Sequence, residues 1–337
     1  MYRNQSGATL QRAARRCMWF GALFFAFSSA TWAQKVADEP FPSRPIRLIV
    51  TFAAGGGGDI LARLFAQKLT ERWGQQVVVD NRAGAGGIIG ADLTAKAAPN
   101  GYTYVLVSSS HTVLPSMHAS LPYDTIADFA PVTILASLSY LLVVNPALPA
   151  RSVSELVAAA KAVPQGISYA SIGNGSTSHL AAEVFKSLAG INMLHVPYKG
   201  TPQSLTALLA GEVSIGFFST ASAEPHIKSG RIKVFATTGK KRVTALPDVP
   251  TMAEAGVKDY EFISWLGILA PAATPQPIIG RMHKELTSIL GQADIRKQLS
   301  DAGYDPVGNS PEEFGRDLRR ELDKWAKVVK ASGAKVE

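Results

Sequence analysis

The amino-acid sequence predicts an α/β fold made of two successive units, each built around a mainly parallel sheet. Short apolar runs alternate with amphipathic segments between residues 46 and 107, and the same alternation restarts near residue 140. Glycine-rich or serine-rich stretches lie at several junctions between a predicted strand and a predicted helix. With 337 residues, of which 47% are hydrophobic, the chain is long enough for one large domain or two ordinary ones.

The first unit has the order β-α-β-α-β. We expect strands at residues 46–52, 76–80 and 104–107 and helices at residues 60–73 and 88–98. Strands that alternate with helices in this way form parallel sheets that are covered on both faces.

The second unit repeats this order. Its strands are expected at residues 140–144, 167–171, 193–196, 213–218 and 233–236, and its helices at residues 152–163, 179–188 and 202–209. We expect the chain to cross between the units near residues 137–141, and C-terminal helices near residues 275–290 and 311–330 to return to the first unit. The predicted domains are residues 42–139 plus 251–337 and residues 140–250.

The N-terminal segment has the composition of a secretory signal peptide. Arg12, Arg15 and Arg16 precede an apolar run at residues 17–30 that is too short to span a bilayer. Small residues then lead to Ala33, after which we expect cleavage. The prediction is therefore a signal peptide at residues 1–33 and export of the mature protein to the periplasm.

The predicted mature chain, residues 34–337, excludes several kinds of chemistry. Its sequence contains no cysteine, because Cys17 lies in the signal, so disulfides, thiol nucleophiles and thiolate metal sites are excluded. The formal net charge of the whole chain is +8, and it falls to +4 without the four arginines of the signal. The basic residues form no stripe with interleaved aromatic residues, so nucleic acid is not an expected partner.

The glycine-rich stretches do not match the motifs of common cofactor sites. Residues 55–58 are four consecutive glycines, but Ile60 or Leu61 stands where the dinucleotide motif G-x-G-x-x-G needs its third glycine. No Gly-Lys-Ser or Gly-Lys-Thr follows for a phosphate-binding loop, and no H-E-x-x-H pair occurs for a metal. We therefore expect no cofactor and no metal ion.

A periplasmic serine hydrolase acting on a carboxylic ester is an alternative function. The sequence has no G-x-S-x-G motif, but loops can bring a serine and a histidine together from distant positions. The candidate pairs would be Ser176 or Ser109 with His111 or His179.

Anion binding at helix N-termini is the chemistry that the glycine loops favour. Loops at residues 55–59, 83–87 and 173–178 each lie between a predicted strand and a predicted helix, and residues 108–111 also follow a strand. Such loops lie at the carboxyl ends of parallel strands, where open α/β sheets bind their ligands. A helix start offers free N–H groups and a positive dipole, and glycine lets an anion approach closely. The alternative is that each loop is only a tight turn, with Asp59 or Ser178 as the helix N-cap.

Ten segments of the mature chain form a set with a familiar order. They are residues 41–50, 53–59, 79–87, 97–102, 128–132, 169–180, 195–200, 225–228, 246–251 and 270–275. Together they resemble the extracytoplasmic solute receptors of tripartite tricarboxylate transporters, the Bug family.

The resemblance implies a type II periplasmic binding protein, with two α/β domains joined by crossing strands and a ligand cleft between them. In the family, the first glycine loop and the Gly-Ser-Thr loop hold a ligand carboxylate. With the residues beside the other loops added, the predicted ligand-binding residues are Phe52, Ala54, Gly56, Gly57, Gly58, Asp59, Ser109, His111, Asn174, Gly175, Ser176, Thr177, Tyr198 and Phe218. Lys199 is either a contact at the rim of the second domain or a solvated surface charge.

Phe218 stands where many members of the family carry an aspartate. Without that acid, the ammonium group of an amino acid would lack a negative partner. We therefore expect an organic acid with an apolar or aromatic body, or a dicarboxylic acid, with Phe218 as a packing face. The alternative is that Phe218 belongs to the core.

The predicted function is that of a receptor without catalysis. The protein is expected to capture a small organic carboxylate as a monomer and to close over it. The closed form would then deliver the ligand to the membrane permease subunits of a tripartite tricarboxylate transporter. A ligand-sensing adaptor for a sensor kinase is a further alternative, which the sequence does not separate from transport.

Overall fold

Two long antiparallel strands link two groups of shorter strands. In the computed structural model, which describes residues 41–163 and 166–332, these are β4 (Phe129–Val144) and β9 (Ile263–Pro271). They pair from Phe129 with Pro271 to Ser139 with Ile263. All the elements belong to one unit that begins at Arg44. The predicted signal peptide, residues 1–33, lies outside the described residues.

The first group of strands is parallel, as the sequence predicts. Its strands are β1 (Ile46–Val50), β2 (Val77–Asn81) and β3 (Thr103–Ser108), and β1 lies between the other two. Its helices are α1 (Gly57–Trp73), α2 (Ile88–Ala95) and α3 (Ser110–Met117), and a 3-10 turn at Ala85–Gly87 precedes α2. β3 pairs antiparallel with β9.

The second group is also parallel at its centre. Its strands are β5 (Ser168–Ser171), β6 (Leu194–Pro197), β7 (Ile215–Ser219) and β8 (Lys233–Thr237). Its helices are α4 (Val153–Ala162), α5 (Thr177–Ala189), α6 (Thr201–Ala210) and α7 (Thr220–Lys228). β5 runs parallel to β6 and β7, whereas β7 and β8 pair antiparallel with β4.

All strands join in one mixed sheet with the order β2-β1-β3-β9-β4-β7-β5-β6. β4 changes partners along its length: Phe129 to Ser139 pair with β9, and Tyr140 to Val144 pair with β7. This change lies within residues 137–141, where the sequence predicts the crossing. The boundaries of the two domains stay a prediction.

The C-terminal segment packs on the first group. It contains α8 (Gln276–Leu290), α9 (Ala293–Asp301), β10 (Tyr304–Pro306) and α10 (Pro311–Ser332). β10 pairs with β4, and α10 lies against α3 and β4. α10 starts at a capping box, in which the Glu313 amide donates to Ser310 Oγ (3.2 Å) and the Ser310 amide donates to the Glu313 carboxylate (2.8 Å).

Three sequence-based expectations about elements need correction. The first strand ends at Val50 rather than residue 52, and residues 140–144 are only the last part of the 16-residue strand β4. In addition, no strand is predicted at β9 or β10 and no helix at α3, α7 or α9. β4 and β9 are buried on both faces for most of their length, so they lack the period-two alternation that identifies a strand.

Two clusters of the buried core in the described residues contribute to the two groups of strands. The first contains Val105, Phe129, Trp265, Leu269 and Phe314 among others, and it holds α10 against the crossing strands. The second includes Leu141, Leu205, Leu208, Phe218 and Ile232. In the described part of the chain, no helix is both long and apolar enough to cross a bilayer.

Candidate functional site

The first glycine loop leads into α1, whose N-terminus consists of backbone alone. Gly56 is the N-cap residue, in an extended conformation, and it makes no side-chain cap. The helix starts at Gly57, earlier than the predicted residue 60, because the apolar pattern used for the prediction begins only at Ile60. Since the first amides of a helix have no acceptor within it, Gly57 and Gly58 present N–H groups and the positive end of the helix dipole.

Asp59 is buried, and its carboxylate holds the glycine loop in shape. It accepts hydrogen bonds from the Gly55 amide (2.9 Å), Asn81 Nδ2 (2.8 Å) and Arg63 Nε (2.9 Å). Burial raises the pKa of Asp59, but the hydrogen bonds from these three donors outweigh it, so the pKa lies below its usual value. Asp59 thus acts within the loop, and it is not the N-cap of α1.

Phe52 lies directly against the start of α1. A Cβ atom at Gly58 would overlap the ring of Phe52, and one at Gly57 would lie 2.9 Å from the hydroxyl of Tyr304. Both positions therefore need glycine for a steric reason, in addition to any contact between their amides and a ligand.

The third loop, residues 173–177, is closed by Ser176. Its hydroxyl donates to the carbonyl three residues earlier (2.6 Å) and accepts from the amide of His179 (3.4 Å), as the N-cap of α5. Ser178 is not the cap, because its hydroxyl accepts from the amide six residues earlier (3.0 Å). The helix starts at Thr177, whose hydroxyl is hydrogen-bonded to the Tyr140 hydroxyl (2.6 Å).

The second glycine loop and the serine-rich stretch meet the third loop. Ser110 Oγ donates to the Gly86 carbonyl (3.1 Å), and the hydroxyls of Ser108 and Ser110 are 2.8 Å apart. A Cβ atom at Gly86 would lie 2.9 Å from the carbonyl oxygen of Asn174. Gly86 has a φ of +67°, so this close approach between the two groups of strands depends on glycine.

These loops enclose a narrow cleft with two adjacent chambers. The first chamber is lined by Thr51, Phe52, Ala53, Ala83, Gly84, Gly86, Gly87, Ser108, Ser110, Ile172, Ser176, Thr177, Lys199, Gly200 and Thr201. The second chamber is lined by Phe52, Gly57, Gly58, Leu138, Tyr140, Ile172, Ser178, Thr201, Phe217, Phe218, Ser219 and Leu266. In each chamber the centre of a water molecule can occupy only about 20 Å³, so a ligand can enter the cleft only when its walls separate.

The cleft contains part of the predicted ligand-binding set. Six of the predicted residues line the cleft, and they are Phe52, Gly57, Gly58, Ser176, Thr177 and Phe218. The other eight do not line it, and they are Ala54, Gly56, Asp59, Ser109, His111, Asn174, Gly175 and Tyr198. Gly56 and Gly175 are immediate chain neighbours of lining residues.

The start of α6 also lies at the cleft, although none of its residues is in the predicted ligand-binding set. Gly200 is the N-cap of α6, and both Gly200 and Thr201 line the first chamber. Proline is common in the first turn of a helix, so Pro202 after Gly200 and Thr201 was a usable signal. The glycines at 84, 86 and 87 were recognised as a loop but were not included among the predicted site residues.

Ser109 and His111 lie in the core rather than in the cleft. Ser109 Oγ is hydrogen-bonded to Ser264 Oγ (2.9 Å), and His111 Nε2 is 3.2 Å from the carbonyl of Thr125. The His111 ring packs between Tyr123 and Phe129. Burial lowers the pKa of His111 to about 4, so the ring is neutral at physiological pH.

Phe218 borders the second chamber, but its ring belongs to the core. It contacts the core cluster that contains Leu141 and Ile232. Successive residues of a strand point to opposite faces, and Ser219 pairs with Tyr140, both of which line the chamber. Phe217 lies two residues before Ser219 and therefore on the same face, and it lines the chamber together with Phe218.

Lys199 lines the first chamber, whereas Tyr198 does not. The Lys199 side chain is exposed at the mouth, and it is the only charged side chain among the lining residues of the two chambers. Tyr198 is half-buried and packs against the second core cluster. Among residues 41–163 and 166–332, no group of histidine, cysteine, aspartate and glutamate side chains is arranged to hold a metal ion.

The serine–histidine pairs of the hydrolase alternative are not assembled. His179 Nδ1 accepts from the Gly175 amide (3.2 Å), and the Ser176 hydroxyl is directed to a backbone carbonyl. A serine–histidine contact does occur between Ser171 Oγ and His195 Nε2 (2.6 Å). Ser171 is only 1% exposed and lies outside the lining of both chambers, so a substrate in the cleft does not reach it.

A family profile and curated relatives match most of the chain. The profile described as "Tripartite tricarboxylate transporter family receptor" matches residues 61–334. Protein BugT of Bordetella pertussis (strain Tohama I) is 36% identical over 312 residues, which cover 92% of this chain and 96% of BugT.

Solved structures with the same fold include two with bound carboxylates. The structure of R. palustris Rpa4515 with adipate has a TM-score of 0.85 and 36% identity, and the match covers 87% of this chain and 99% of that one. The structure of MatC (Rpa3494) from Rhodopseudomonas palustris with bound malate has a TM-score of 0.81 and 30% identity, with coverage of 86% and 100%. These similarities confirm the predicted fold class, that of a type II periplasmic binding protein.

Proposed function

Because this chain belongs to the tripartite tricarboxylate transporter family of receptors, which includes the Bug proteins, we propose that it is a periplasmic receptor for a small organic carboxylate. Its ligand would bind in the cleft between the two groups of strands. The loaded receptor would then deliver the ligand to the membrane subunits of its transporter.

One observation carries the proposal: four helix N-termini meet at a cleft whose lining contains one cation and no acidic side chain. α1, α3, α5 and α6 begin at Gly57, Ser110, Thr177 and Thr201, and all four residues line the chambers. Each N-terminus offers about 0.3–1 kcal/mol to an anion, and up to about 2 kcal/mol where it is partly buried. Backbone amides, assisted by Lys199, would therefore bind the carboxylate.

The second chamber favours an apolar ligand body. Apart from two serines and a threonine, its side chains are aromatic or aliphatic, with Phe52, Leu138, Tyr140, Phe217 and Leu266 around the space. An ammonium group would find no acidic partner there, so an amino acid is disfavoured. Aromatic acids and dicarboxylic acids are the expected classes, and two similar structures contain adipate and malate.

The predicted signal peptide supports a function outside the cytoplasm. The arginines and the apolar run of residues 1–33 are typical of a secretory signal, and the similar structure of BugD is that of a periplasmic binding protein. We infer that the mature protein works in the periplasm, where a receptor meets its ligand before the membrane subunits do.

The direct test is a thermal-shift panel on the mature protein, together with mass spectrometry of any acid that co-purifies. The panel contains benzoate, adipate and malate as carboxylates, and aspartate and glutamate as amino acids. A ligand stabilises the folded state by RT ln(1 + [L]/Kd), so a true ligand raises the unfolding midpoint by an amount that increases with concentration. A rise with aspartate or glutamate alone would contradict the proposed ligand class.

A turnover assay separates the receptor from the hydrolase alternative. Ethyl esters of the binding acids are incubated with the protein, and release of the free acid is followed by chromatography. We expect binding without product. Release of the acid that Ser176→Ala abolishes would instead indicate an enzyme.

A further inference from the structure

Three stacked rings lie behind the third loop of the cleft. The Tyr169 and His195 rings are parallel with centroids 4.8 Å apart, and the His195 and His179 rings are parallel with centroids 4.2 Å apart. We call these three residues the histidine stack. His179 belongs to the first turn of α5, and its backbone amide donates to the Ser176 cap.

The His179 side chain fixes the backbone of the third loop. Its Nδ1 atom accepts a hydrogen bond from the Gly175 amide at 3.2 Å. Gly175 is buried, with a φ of +72°, and it directly precedes Ser176 and Thr177, which line the first chamber. The orientation of these two lining residues therefore depends on an acceptor at His179 Nδ1.

This contact requires one protonation state of the ring. Nδ1 accepts only when it carries no proton, so the neutral ring has its hydrogen on Nε2. His179 Nε2 faces Glu183 Oε1 at a distance of 3.9 Å. A protonated ring would carry a hydrogen on Nδ1, and that hydrogen would oppose the Gly175 N–H.

Some groups around His179 favour a positive charge on its ring, and others oppose it. Glu183 favours the protonated ring, but this carboxylate already accepts hydrogen bonds from the Tyr169 hydroxyl (2.6 Å) and Lys186 Nζ (2.8 Å). Lys186 opposes a further positive charge on the ring. Burial lowers the pKa of His179, and burial together with His179 lowers the pKa of His195 to about 4. Both rings are therefore neutral at about pH 7, as the hydrogen bond from the Gly175 amide to His179 Nδ1 requires.

We propose that His179 is a positioning residue for the carboxylate site, which holds the third loop in its binding shape only while its ring is neutral. When His179 takes up a proton from solvent, the Gly175 amide loses its acceptor and Ser176 and Thr177 leave their positions. The cleft then binds a carboxylate more weakly in acid. The effect on binding rests on the proposed function, whereas the effect on the loop does not.

The first experiment observes the loop without any ligand. The Gly175 amide is followed by ¹⁵N NMR and hydrogen exchange from about pH 8 down to about pH 4.5, a range that extends below the ordinary histidine pKa of about 6.5. In the wild-type protein we expect the amide signal to shift and its exchange protection to fall as the pH decreases. In His179→Asn, Oδ1 can accept from Gly175 in place of Nδ1 but does not titrate, so both quantities should stay constant. In His179→Leu the amide should be unprotected at every pH.

A matched control uses another histidine that accepts a hydrogen bond through Nδ1. His226 does so from Arg231 (2.7 Å), on the last turn of α7. His226→Asn should behave as the wild-type protein. Gly175 protection that survives at about pH 4.5 in the wild type, or that is lost equally in His179→Asn, would overturn the proposal.

The second experiment measures binding of adipate as the probe. Loss of one loop hydrogen bond corresponds to about a tenfold weaker affinity. We expect the wild type to lose more affinity than His179→Asn as the pH falls from about 8 to about 4.5, and the difference should approach tenfold as His179 becomes protonated. Adipate itself titrates in this range, but it does so equally for both proteins. Equal pH profiles would overturn the link to binding. A protein that does not bind adipate at all contradicts the ligand class instead, and the NMR experiment still decides the role of His179.

Discussion

At the scale of single residues, the cleft is built from positions that carry little or no side chain. Gly58 admits the ring of Phe52, and Gly86 admits the backbone of Asn174. Gly56 differs from these two, because its φ of −78° and ψ of 161° are open to any residue. A side chain can therefore be introduced at Gly56 to change ligand binding without preventing the protein from folding.

Replacing Gly56 with aspartate should abolish carboxylate binding while the protein stays folded. Aspartate is a favourable N-cap, so its carboxylate would accept from the first amides of α1 and add about 0.3 kcal/mol to stability relative to glycine. The same carboxylate would repel an anionic ligand and occupy the donors that the ligand needs. Isothermal titration with the best acid of the panel, together with the unfolding midpoint, measures both effects.

Gly56→Ala is the control for this substitution. A Cβ atom at residue 56 would lie 3.2 Å from both the Ala53 carbonyl and Thr201 Oγ1, a tight contact that both variants share. We expect the alanine variant to keep most of its affinity. If both variants lose affinity to a similar extent, steric crowding rather than charge explains the loss. Unchanged affinity in Gly56→Asp would exclude the α1 N-terminus from the site.

Lys199→Gln should weaken binding about threefold to tenfold, because an exposed charge contributes about 0.5–1.4 kcal/mol to holding an anion. Salt screens such an interaction, so the difference from the wild type should disappear near 1 M salt. Lys161→Gln, at an exposed position of α4 outside the cleft, should bind as the wild type does. A loss that persists at high salt would indicate that Lys199 acts through packing instead of charge.

Sequence reasoning located the loops of the site better than its individual residues. Glycine runs before predicted helices correctly marked the segments that meet at the cleft, since both features are local. Which side chain faces the cleft depends on partners from distant segments. Ser109 and His111 are turned into the core by Ser264 and Thr125. The pairing of β7 with β4 brings Phe217, which is outside the predicted set, to the second chamber beside Phe218. Neither the core contacts of Ser109 and His111 nor the pairing of β7 with β4 can be predicted from the local sequence.

At the scale of secondary-structure elements, the C-terminal helix α10 is held to the first group of strands through a buried acid. Glu321 Oε2 accepts from Trp265 Nε1 (2.9 Å) on β9 and from Thr112 Oγ1 (3.1 Å) on α3. Burial raises the pKa of Glu321, and the two hydrogen bonds only partly offset this rise. The charged form of this side chain is therefore less stable in the folded protein than in the unfolded chain.

Glu321→Gln should raise the stability of the protein at neutral pH. The amide oxygen can accept both hydrogen bonds without the cost of burying a charge, and we expect a gain of about 1 kcal/mol, or about 1–3 °C in a chain of this length. For an acid with a raised folded-state pKa, stability is lost as the pH rises through that pKa. The advantage of glutamine should therefore shrink as the pH falls and vanish below about pH 4.3, where the glutamate is protonated in both states.

Thermal unfolding of both proteins between about pH 4 and pH 8 provides the measurement. Asp323→Asn is the control, because Asp323 is an exposed acid on the same helix. It should change stability by no more than about 0.5 kcal/mol. A lower midpoint for Glu321→Gln at neutral pH would mean that the charge itself holds α10 in place.

The sequence predicts best those elements that have one apolar face and one polar face. α10 combines a capping box with a strong amphipathic pattern, and its predicted range, residues 311–330, is close to Pro311–Ser332. β9 and most of β4 are not predicted as strands, because both of their faces are buried and their sequences do not alternate between apolar and polar residues. α7 follows β7 directly at Ser219 and contains Pro225, which is typically read as an interruption of a helix.

At the scale of the whole molecule, the crossing strands separate the cleft from a second cavity on their other face. Leu138 and Tyr140 line the cleft, and Ser139 between them lines the back cavity, as alternation along a strand requires. The back cavity is also lined by Ile263 and by residues 240–244. The centres of water molecules can occupy about 340 Å³ there, compared with about 20 Å³ in each chamber of the cleft.

The two spaces should change in opposite directions if the protein closes over its ligand. Residues 240–244 follow β8, in the second group of strands, whereas Gly303 and Asp305 belong to the segment that returns to the first group. A rotation about the crossing strands that opens the cleft brings these walls together. We therefore expect the described form, with a narrow cleft and a wide back cavity, to resemble the closed state that holds the ligand.

Ile263→Trp should consequently tighten ligand binding. Ile263 is 43% exposed and lines the back cavity, so the closed state can accept the larger indole, whereas the open state would compress it. A change that disfavours only the open state raises the apparent affinity, and we expect a gain of about threefold to tenfold by isothermal titration. Leu194→Trp, at an apolar position of β6 that is 50% exposed and outside these cavities, is the control and should leave affinity unchanged. Small-angle scattering of the ligand-free proteins should give a smaller radius of gyration for Ile263→Trp than for the control. Weaker binding with unaltered scattering would show that the crossing strands do not act as a hinge.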